Sequence, residues 1–138
     1  MKIKKILIMG LPGSGKTTLA KELAPRLDAI ILNADEIRKK YNDWDFSPEG
    51  RIRQANRMRD LAQEIIEKGK IVIADFVCPT ENTREIFKPD ILIWLDTIQK
   101  GRFEDTNNLF EKPKNFFLKV ESKNAKYSVE EILKKLNN

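Results

Sequence analysis

The chain has 138 residues, of which 41% are hydrophobic and 34% charged. Composition and length predict one globular domain over residues 1–138, and they exclude a disordered chain. No apolar run approaches the roughly 20 residues that a membrane helix needs, so we expect no membrane association. The net charge of +5 suits anionic ligands but is too mild to indicate nucleic acid by itself. Because there is one cysteine, we expect no internal disulfide and a reducing cytoplasm. Because there is no histidine, we expect any proton transfer to be carried out by Asp, Glu, Lys or water.

Short, nearly continuous apolar runs alternate with helical patterns along the chain. Such runs are typical of strands buried on both faces of a parallel sheet. We therefore predict an α/β fold, a three-layer α/β/α sandwich around a mostly parallel sheet of about five strands. The predicted strands are 3–9, 29–32, 71–74, 91–95 and 116–120.

Three helices have sequence signals at their ends. The first follows the first strand and should end or kink near Pro25. The long central helix should begin after Ser47, with Pro48 in its first turn, and stop near Gly69. The last helix should open at Ser128, where the sequence has a capping-box pattern.

The segment Gly10–Thr17 fits the phosphate-loop pattern G-x-x-x-x-G-K-[ST] between a strand and a helix. Its backbone N–H groups and the helix N-terminus should bind phosphate. Lys16 should reach the β- and γ-phosphates of ATP, and the Thr17 hydroxyl should bind Mg²⁺. The predicted cofactor-binding residues are Gly10, Leu11, Pro12, Gly13, Ser14, Gly15, Lys16, Thr17 and Thr18, in a P-loop nucleotide-kinase type of fold.

Acidic residues follow three of the other predicted strands, at the sheet edge where ligands bind. Asp35 is the candidate base for an attacking hydroxyl, and the alternative is a helix cap. Asp75 and Asp96 each follow an apolar strand, and either one can serve the metal.

Arginines and aromatic residues mark the acceptor side. The residues Arg51, Arg53, Arg57 and Arg59 form a solvated basic face, or one or two of them clamp an anion. Phe46 and Phe76 are either core residues or stacking partners for adenine. The polar segment 97–115, with Arg102, is a candidate lid that closes over the phosphates.

The ordered motifs resemble those of adenylylsulfate kinases, which phosphorylate the 3′-hydroxyl of adenosine 5′-phosphosulfate (APS). Segment 32–38 is similar to the family's Leu-Asp-Gly-Asp-x-x-Arg, segment 45–51 to Gly-Phe-Ser-x-x-x-Arg, and segment 71–79 to Val-Ile-x-Ala-x-Phe-Ile-Ser-Pro. The chain has Asn33 in place of the first Asp, Asp75 in place of an Ala, Cys78 in place of a Ser and Gln54 in place of an Asn.

The resemblance implies an ATP-dependent kinase that acts on a small nucleotide. It places Asp35 at the acceptor hydroxyl, Arg38 and Arg51 on the phosphosulfate, Phe46 against the adenine and Gln54 in hydrogen-bonding reach of the substrate. The family's usual assembly implies a homodimer. Two alternatives remain open, a polynucleotide 5′-hydroxyl kinase, for which nucleic acid would be the acceptor, and a nucleotide-binding module without turnover.

Overall fold

The computed structural model describes residues 2–99 and 109–137. Strands and helices alternate along the chain as β1 (Lys5–Met9), α1 (Lys16–Leu27), β2 (Ala29–Asn33), α2 (Ala34–Tyr41), α3 (Pro48–Glu67), β3 (Ile71–Asp75), α4 (Glu81–Phe87), β4 (Ile91–Leu95), β5 (Leu118–Val120) and α5 (Ala125–Leu136). Within these residues, no helix combines the length and the apolar composition that a bilayer span requires.

The five strands form one parallel sheet in the order β2-β3-β1-β4-β5. The central strand β1 is fully buried from Ile6 to Met9, as its continuous apolar sequence predicts. All strands therefore end at the same edge of the sheet, and the polar residues that follow them meet there.

Two apolar clusters cover the two faces of the sheet, and alternate residues of β1 serve one or the other. Ile6 and Ile8 pack with α1 and α5. Leu7 and Met9 pack with α3, through Ala55 and Met58, and with Phe87 of α4. The three-layer α/β/α fold class and the parallel sheet are confirmed.

Two helix ends differ from the sequence prediction. Helix α1 continues through Pro25 to Leu27, because Pro25 lies on the exposed face, where water can satisfy the carbonyl that loses its partner. Helix α5 begins three residues earlier than Ser128, because the side chain of Asn124 caps it by accepting from Tyr127 N–H. Ser128 is instead buried inside the helix.

Candidate active site

A cavity of about 670 Å³ opens at the carboxyl edge of the sheet. Its size is within the range of small-molecule sites. It brings together residues that the sequence assigns to separate tasks. Its lining includes Pro12, Gly13, Gly15, Lys16, Thr17 and Thr18 from the predicted cofactor set, and Asp35, Arg38, Phe46, Arg51, Asp75 and Phe76 from the predicted metal and acceptor sets.

The phosphate loop connects β1 to α1 and lines this cavity. Gly15 has φ +105°, which other residues rarely adopt, and α1 begins after it with no side-chain cap. The first-turn N–H groups of α1 are therefore available to an anion. The Lys16 ammonium lies over the loop and donates to Leu11 O at 3.2 Å. The Thr97 hydroxyl, two residues past the end of β4, supports the loop by donating to Ser14 O at 2.7 Å.

Three residues of the predicted cofactor set do not line the large cavity. Gly10 lies against β4, where an added Cβ would come within 2.7 Å of Leu95 O. Leu11 is buried, and Ser14, also buried, lines a smaller cavity of about 180 Å³ next to the loop. Gly10 and Leu11 thus shape the loop from behind.

Asp75 ends β3 next to Asn33 of β2, and the two residues are paired in the parallel register. Asp75 Oδ2 accepts from the Thr17 hydroxyl at 2.6 Å and from Asn33 Nδ2 at 2.8 Å. A hydroxyl and a carboxylate are the hard oxygen donors that Mg²⁺ prefers, usually with phosphate and water completing its shell. Among the described residues there is no group of three or more acidic, His or Cys side chains that would bind a metal ion on its own. The pair Thr17 and Asp75 therefore fits an ion brought in with a nucleotide.

Asp96, the other candidate for the metal, is engaged elsewhere. Its carboxylate lies 3.3 Å from the Lys119 ammonium, and its N–H donates to Val120 O. The structure brings Asp75, and not Asp96, to the Thr17 hydroxyl.

Asp35 is exposed in the first turn of α2 and lines the cavity. It is not the cap of that helix, because Asn33 Oδ1 accepts from Glu36 N–H at 2.9 Å. The alternative of a capping role for Asp35 is therefore wrong. The Asn33 side chain both caps α2 and donates to the Asp75 carboxylate, and Asp35 is left exposed at the cavity.

Two buried arginines and one aromatic ring form another part of the cavity wall. Arg38 is 5% exposed and Arg51 8% exposed, while Phe46 is 50% exposed. The guanidinium of Arg38 lies 4.3 Å from the ring centroid of Phe46, and that of Arg51 lies 5.6 Å from it. Burial lowers the pKa of Arg38, but a guanidinium stays protonated under physiological conditions. This wall combines positive charge with an aromatic surface.

Two other arginines of α3, Arg53 and Arg57, hold the loop between α2 and α3. Arg53 donates to Asp43 at 2.8 Å and to Asp45 at 3.1 Å, and Arg57 donates to Asp43 at 3.0 Å. The hydrogen bonds from Arg53 and Arg57 hold the pKa of Asp43 well below its usual range. Of the predicted basic face, Arg51 alone lines the cavity.

Gln54 requires a correction, because it lies outside the cavity. Its side chain is fully buried, its Nε2 donates to Ala34 O at 2.9 Å, and its Oε1 accepts from Arg57. Both amide atoms are used within the protein, so Gln54 supports the α2–α3 packing and makes no direct contact with a ligand in this arrangement.

Phe76 follows β3 and is packed as a core residue at the edge of the cavity. It is 6% exposed and packs edge to face on Phe87, with ring centroids 6.3 Å apart, while lining the cavity. Cys78 lies beyond it in the same wall, and burial raises the pKa of this thiol to about 12.

The candidate lid is described only at its two ends. Arg102 lies outside the described residues, as does the rest of 100–108. At the far end of the segment, Glu111 N–H donates to Pro79 O at 2.7 Å, and the Arg84 guanidinium donates to Glu111 O. This part of the segment therefore packs on the wall of the cavity that follows β3.

Trp44 is a cavity residue that the sequence analysis missed. It precedes the segment 45–51 on which the family resemblance depends, and it is 51% exposed while lining the cavity. A tryptophan between two acidic residues in a turn was the signal for it, since an aromatic side chain gains little there unless it contacts something.

The sheet order, the phosphate loop and the paired Thr17 and Asp75 define a P-loop kinase fold. Solved structures with this fold include the APS kinase CysC of Mycobacterium tuberculosis in complex with AMPPNP and APS, with a TM-score of 0.82, 19% identity and full coverage of both chains. A sugar kinase from Janibacter sp. HTCC2649 has a TM-score of 0.76 at 17% identity, over 99% of this chain and 95% of that one.

Residues 2–118 match the model of the adenylylsulphate kinase family, and the chain belongs to this family. The adenylyl-sulfate kinase of Bacillus pumilus is 34% identical over 89 residues, which cover 60% of this chain and 45% of that protein. The adenylyl-sulfate kinase of Clostridium kluyveri is 27% identical over 122 residues, which cover 80% of this chain and 61% of that protein. The chain spans about half the length of the first curated relatives that it matches.

Proposed function

We propose that the protein is an ATP-dependent kinase that transfers the γ-phosphoryl group of MgATP to the 3′-hydroxyl of APS. The observation that carries the proposal is the shared cavity. It joins the phosphate loop to an exposed carboxylate, Asp35, and to a wall of Arg38, Arg51 and Phe46. A phosphoryl donor and an anionic, base-bearing acceptor can meet in one such space.

Each part of the cavity supplies one element of in-line transfer. The Lys16 ammonium and the amides of the loop neutralise the negative charge of the transferred group as it leaves the donor. Asp35 accepts a hydrogen bond from the acceptor hydroxyl, orients it and receives its proton. Arg38 and Arg51 hold the phosphosulfate, so the hydroxyl remains in position.

Thr17 and Asp75 would hold Mg²⁺. When bound, the ion would offset the negative charge of the phosphates. The chain's own contribution is to keep these two oxygen donors in place, with Asn33 fixing the carboxylate by its hydrogen bond of 2.8 Å.

The first experiment compares acceptors for the purified chain in the presence of MgATP. We expect ADP and 3′-phosphoadenosine 5′-phosphosulfate to form from APS, and no product from a 5′-hydroxyl oligonucleotide. Product from the oligonucleotide alone would contradict the proposal, as would the absence of transfer to APS.

Asp35→Asn tests the acceptor side of the mechanism. We expect kcat to fall by about two orders of magnitude while ATP binding is retained, because only proton transfer and hydroxyl orientation are lost. The matched control is Glu36→Gln, which removes the adjacent exposed carboxylate that does not line the cavity. Equal activity of the Asp35→Asn variant and the control would remove Asp35 from the mechanism.

We also propose that the protein is cytoplasmic and forms a homodimer. The use of ATP and a single buried cysteine, Cys78, support a cytoplasmic protein. The APS kinase of Thiobacillus denitrificans is a hexamer, so oligomers occur among the structural neighbours, and the family resemblance supports a homodimer here. Light scattering on the purified chain measures the assembly, and a monomer at all concentrations would contradict this part of the proposal.

A further inference from the structure

The turn between α2 and α3 places alternate side chains in two directions. Trp44 and Phe46 line the cavity, whereas Asp43 and Asp45 do not. The two carboxylates bond instead to Arg53, a residue of α3 to which the proposed function gives no role. Because this turn adjoins the arginine wall of the cavity, the placement of its carboxylates affects the charge that an acceptor meets.

Arg53 holds both carboxylates with one guanidinium group. Its Nε donates to Asp43 Oδ2 at 2.8 Å, and its Nη2 donates to Asp43 Oδ1 and to Asp45 Oδ2, each at 3.1 Å. Such fork-shaped bonds fix the direction of a carboxylate and also offset its charge. The side chain of Arg53 is 48% exposed, so replacing it should leave the apolar core intact.

Arg38 of the arginine wall is a competing cation for the same two residues. Its Nη1 donates to the carbonyl oxygens of Asp43 and Asp45, at 2.9 Å and 3.1 Å. Burial lowers the pKa of Arg38, and the Asp43 carboxylate acts in the opposite direction, so the charges of these two side chains interact. A carboxylate that loses Arg53 would therefore act on the guanidinium that the anionic group of the acceptor needs.

The charges of the turn and the wall can be counted. Together they contain four guanidinium groups and two carboxylates, from Arg38, Arg51, Arg53, Arg57, Asp43 and Asp45, which leaves a net charge of +2. With an uncharged residue at position 53 the net charge would be +1, and Asp45 would lose its ion pair of 3.1 Å. An anionic acceptor would then gain less electrostatic free energy on binding, whereas an uncharged one would be unaffected.

We propose that Arg53 is a positioning residue that sets the preference of the site for an anionic acceptor. It does so by holding Asp43 and Asp45 on α3, away from the arginine wall. This inference rests on the proposed function, whose acceptor site it specifies further. Loss of one positive charge at a partly exposed edge of the site should lower the affinity for an anion about fivefold.

Binding of AMP and adenosine tests the preference without the reaction, because the two ligands differ only in the charged phosphate. Calorimetry in the presence of MgADP, which fills the donor site, measures both Kd values. In Arg53→Gln the preference for AMP over adenosine should fall about fivefold, with the Kd of adenosine unchanged. An unchanged preference would overturn the proposal, as would an equal loss of affinity for both ligands or the absence of any preference in wild type.

Two variants separate the charge of Arg53 from a structural role. Arg53→Lys keeps the charge, so its preference for AMP should stay within about twofold of wild type. Arg53→Gln/Asp45→Asn restores the net charge of +2, and the Asn side chain can still accept from Ser47 N–H, so the preference should recover. No recovery in the double variant, with Arg53→Lys as weak as Arg53→Gln, would overturn the electrostatic role.

The matched control is Arg59→Gln. Arg59 is an arginine of the same helix with a comparable exposure of 43%, but it pairs with Asp60 at 3.0 Å and does not line the cavity. The control should leave the preference for AMP unchanged. A loss equal to that of Arg53→Gln would reduce the effect to overall charge and overturn the specific role.

Kinetics with APS separate this proposal from the proposed function. Arg53→Gln should raise KM for APS about fivefold, with kcat and KM for ATP within about twofold of wild type. If transfer to APS continues with an unchanged KM, the reaction stands and the role of Arg53 is wrong. If wild type makes no product from APS but Arg53→Gln still loses its preference for AMP, the role of Arg53 stands and the proposed reaction is wrong.

Discussion

Gly50→Ala is a small substitution that should weaken both the fold and the acceptor site. Gly50 lies in the first turn of α3, where alanine would normally stabilise a helix by about 1 kcal/mol. Here an added Cβ would come within 2.2 Å of Asp45 O and 2.5 Å of Asp45 Cγ. Backbone atoms cannot move aside as a flexible side chain would, so the turn before α3 has to shift.

The cost of that shift can be worked out from the bonds of Asp45. Its carbonyl accepts from Arg38 at 3.1 Å, and its carboxylate accepts from Ser47 N–H at 2.9 Å. Overpacking a tight site costs about 1–3 kcal/mol, and each weakened hydrogen bond about 1 kcal/mol more. After the helix gain is subtracted, we expect a net loss of about 2 kcal/mol, or roughly 6 °C in Tm.

Thermal and urea unfolding followed by circular dichroism measure this loss, and KM for APS reports the turn that carries Trp44 and Phe46. Gly69→Ala is the control. It has φ +82° and open space around it, so it should lose about 1 kcal/mol through backbone strain and leave KM unchanged. A Gly50→Ala protein as stable as wild type, with unchanged KM, would refute the reasoning.

Two further predictions concern the metal site and the buried thiol. Asp75→Asn should weaken Mg²⁺ binding, because the amide cannot replace the carboxylate. The Mg²⁺-dependent rise in Tm with ADP should then require about 10- to 100-fold more Mg²⁺, and an unchanged titration would exclude Asp75 as a ligand. Burial raises the pKa of Cys78 from 9.0 to about 12, so the unfolded chain ionises first and stability falls as pH rises from about 9 to 12. In urea unfolding, the free energy of unfolding of Cys78→Ala should decline less steeply with pH than that of wild type, by up to about 1.4 kcal/mol per pH unit. Parallel declines of the two proteins would contradict this.

The parts of the fold that local sequence patterns control were predictable. The phosphate loop, the parallel strands and the start of α3 follow from a motif, from apolar continuity and from Ser47 followed by Pro48. The cap of α2 was not predictable from local sequence, because Asn33 and Asp35 are both good caps and the choice between them depends on the neighbouring strand. Asn33 is held by its bond to Asp75, which is 42 residues away in the chain.

The rotation of α3 against the sheet decided which of its polar residues reach the cavity. Arg51 and Gln54 share a helix face, yet Arg51 lines the cavity and Gln54 is directed into the packing with α2. Spacing along one helix cannot distinguish these outcomes, since they depend on how close the second helix lies. Trp44 was missed for a similar reason, because its exposure depends on the turn that Arg38 fixes.

The pairing of β2 with β3 brings together two of the positions at which the chain departs from the family motifs. Those motifs have an acidic residue at position 33 and Ala at position 75, whereas this chain has Asn33 and Asp75. The two positions are direct neighbours across the sheet, joined by a hydrogen bond of 2.8 Å. Compared position by position, the chain has lost one acidic residue and gained another. Because the two positions lie one strand spacing apart in this chain, the exchange leaves the number of acidic residues at this pair of positions unchanged.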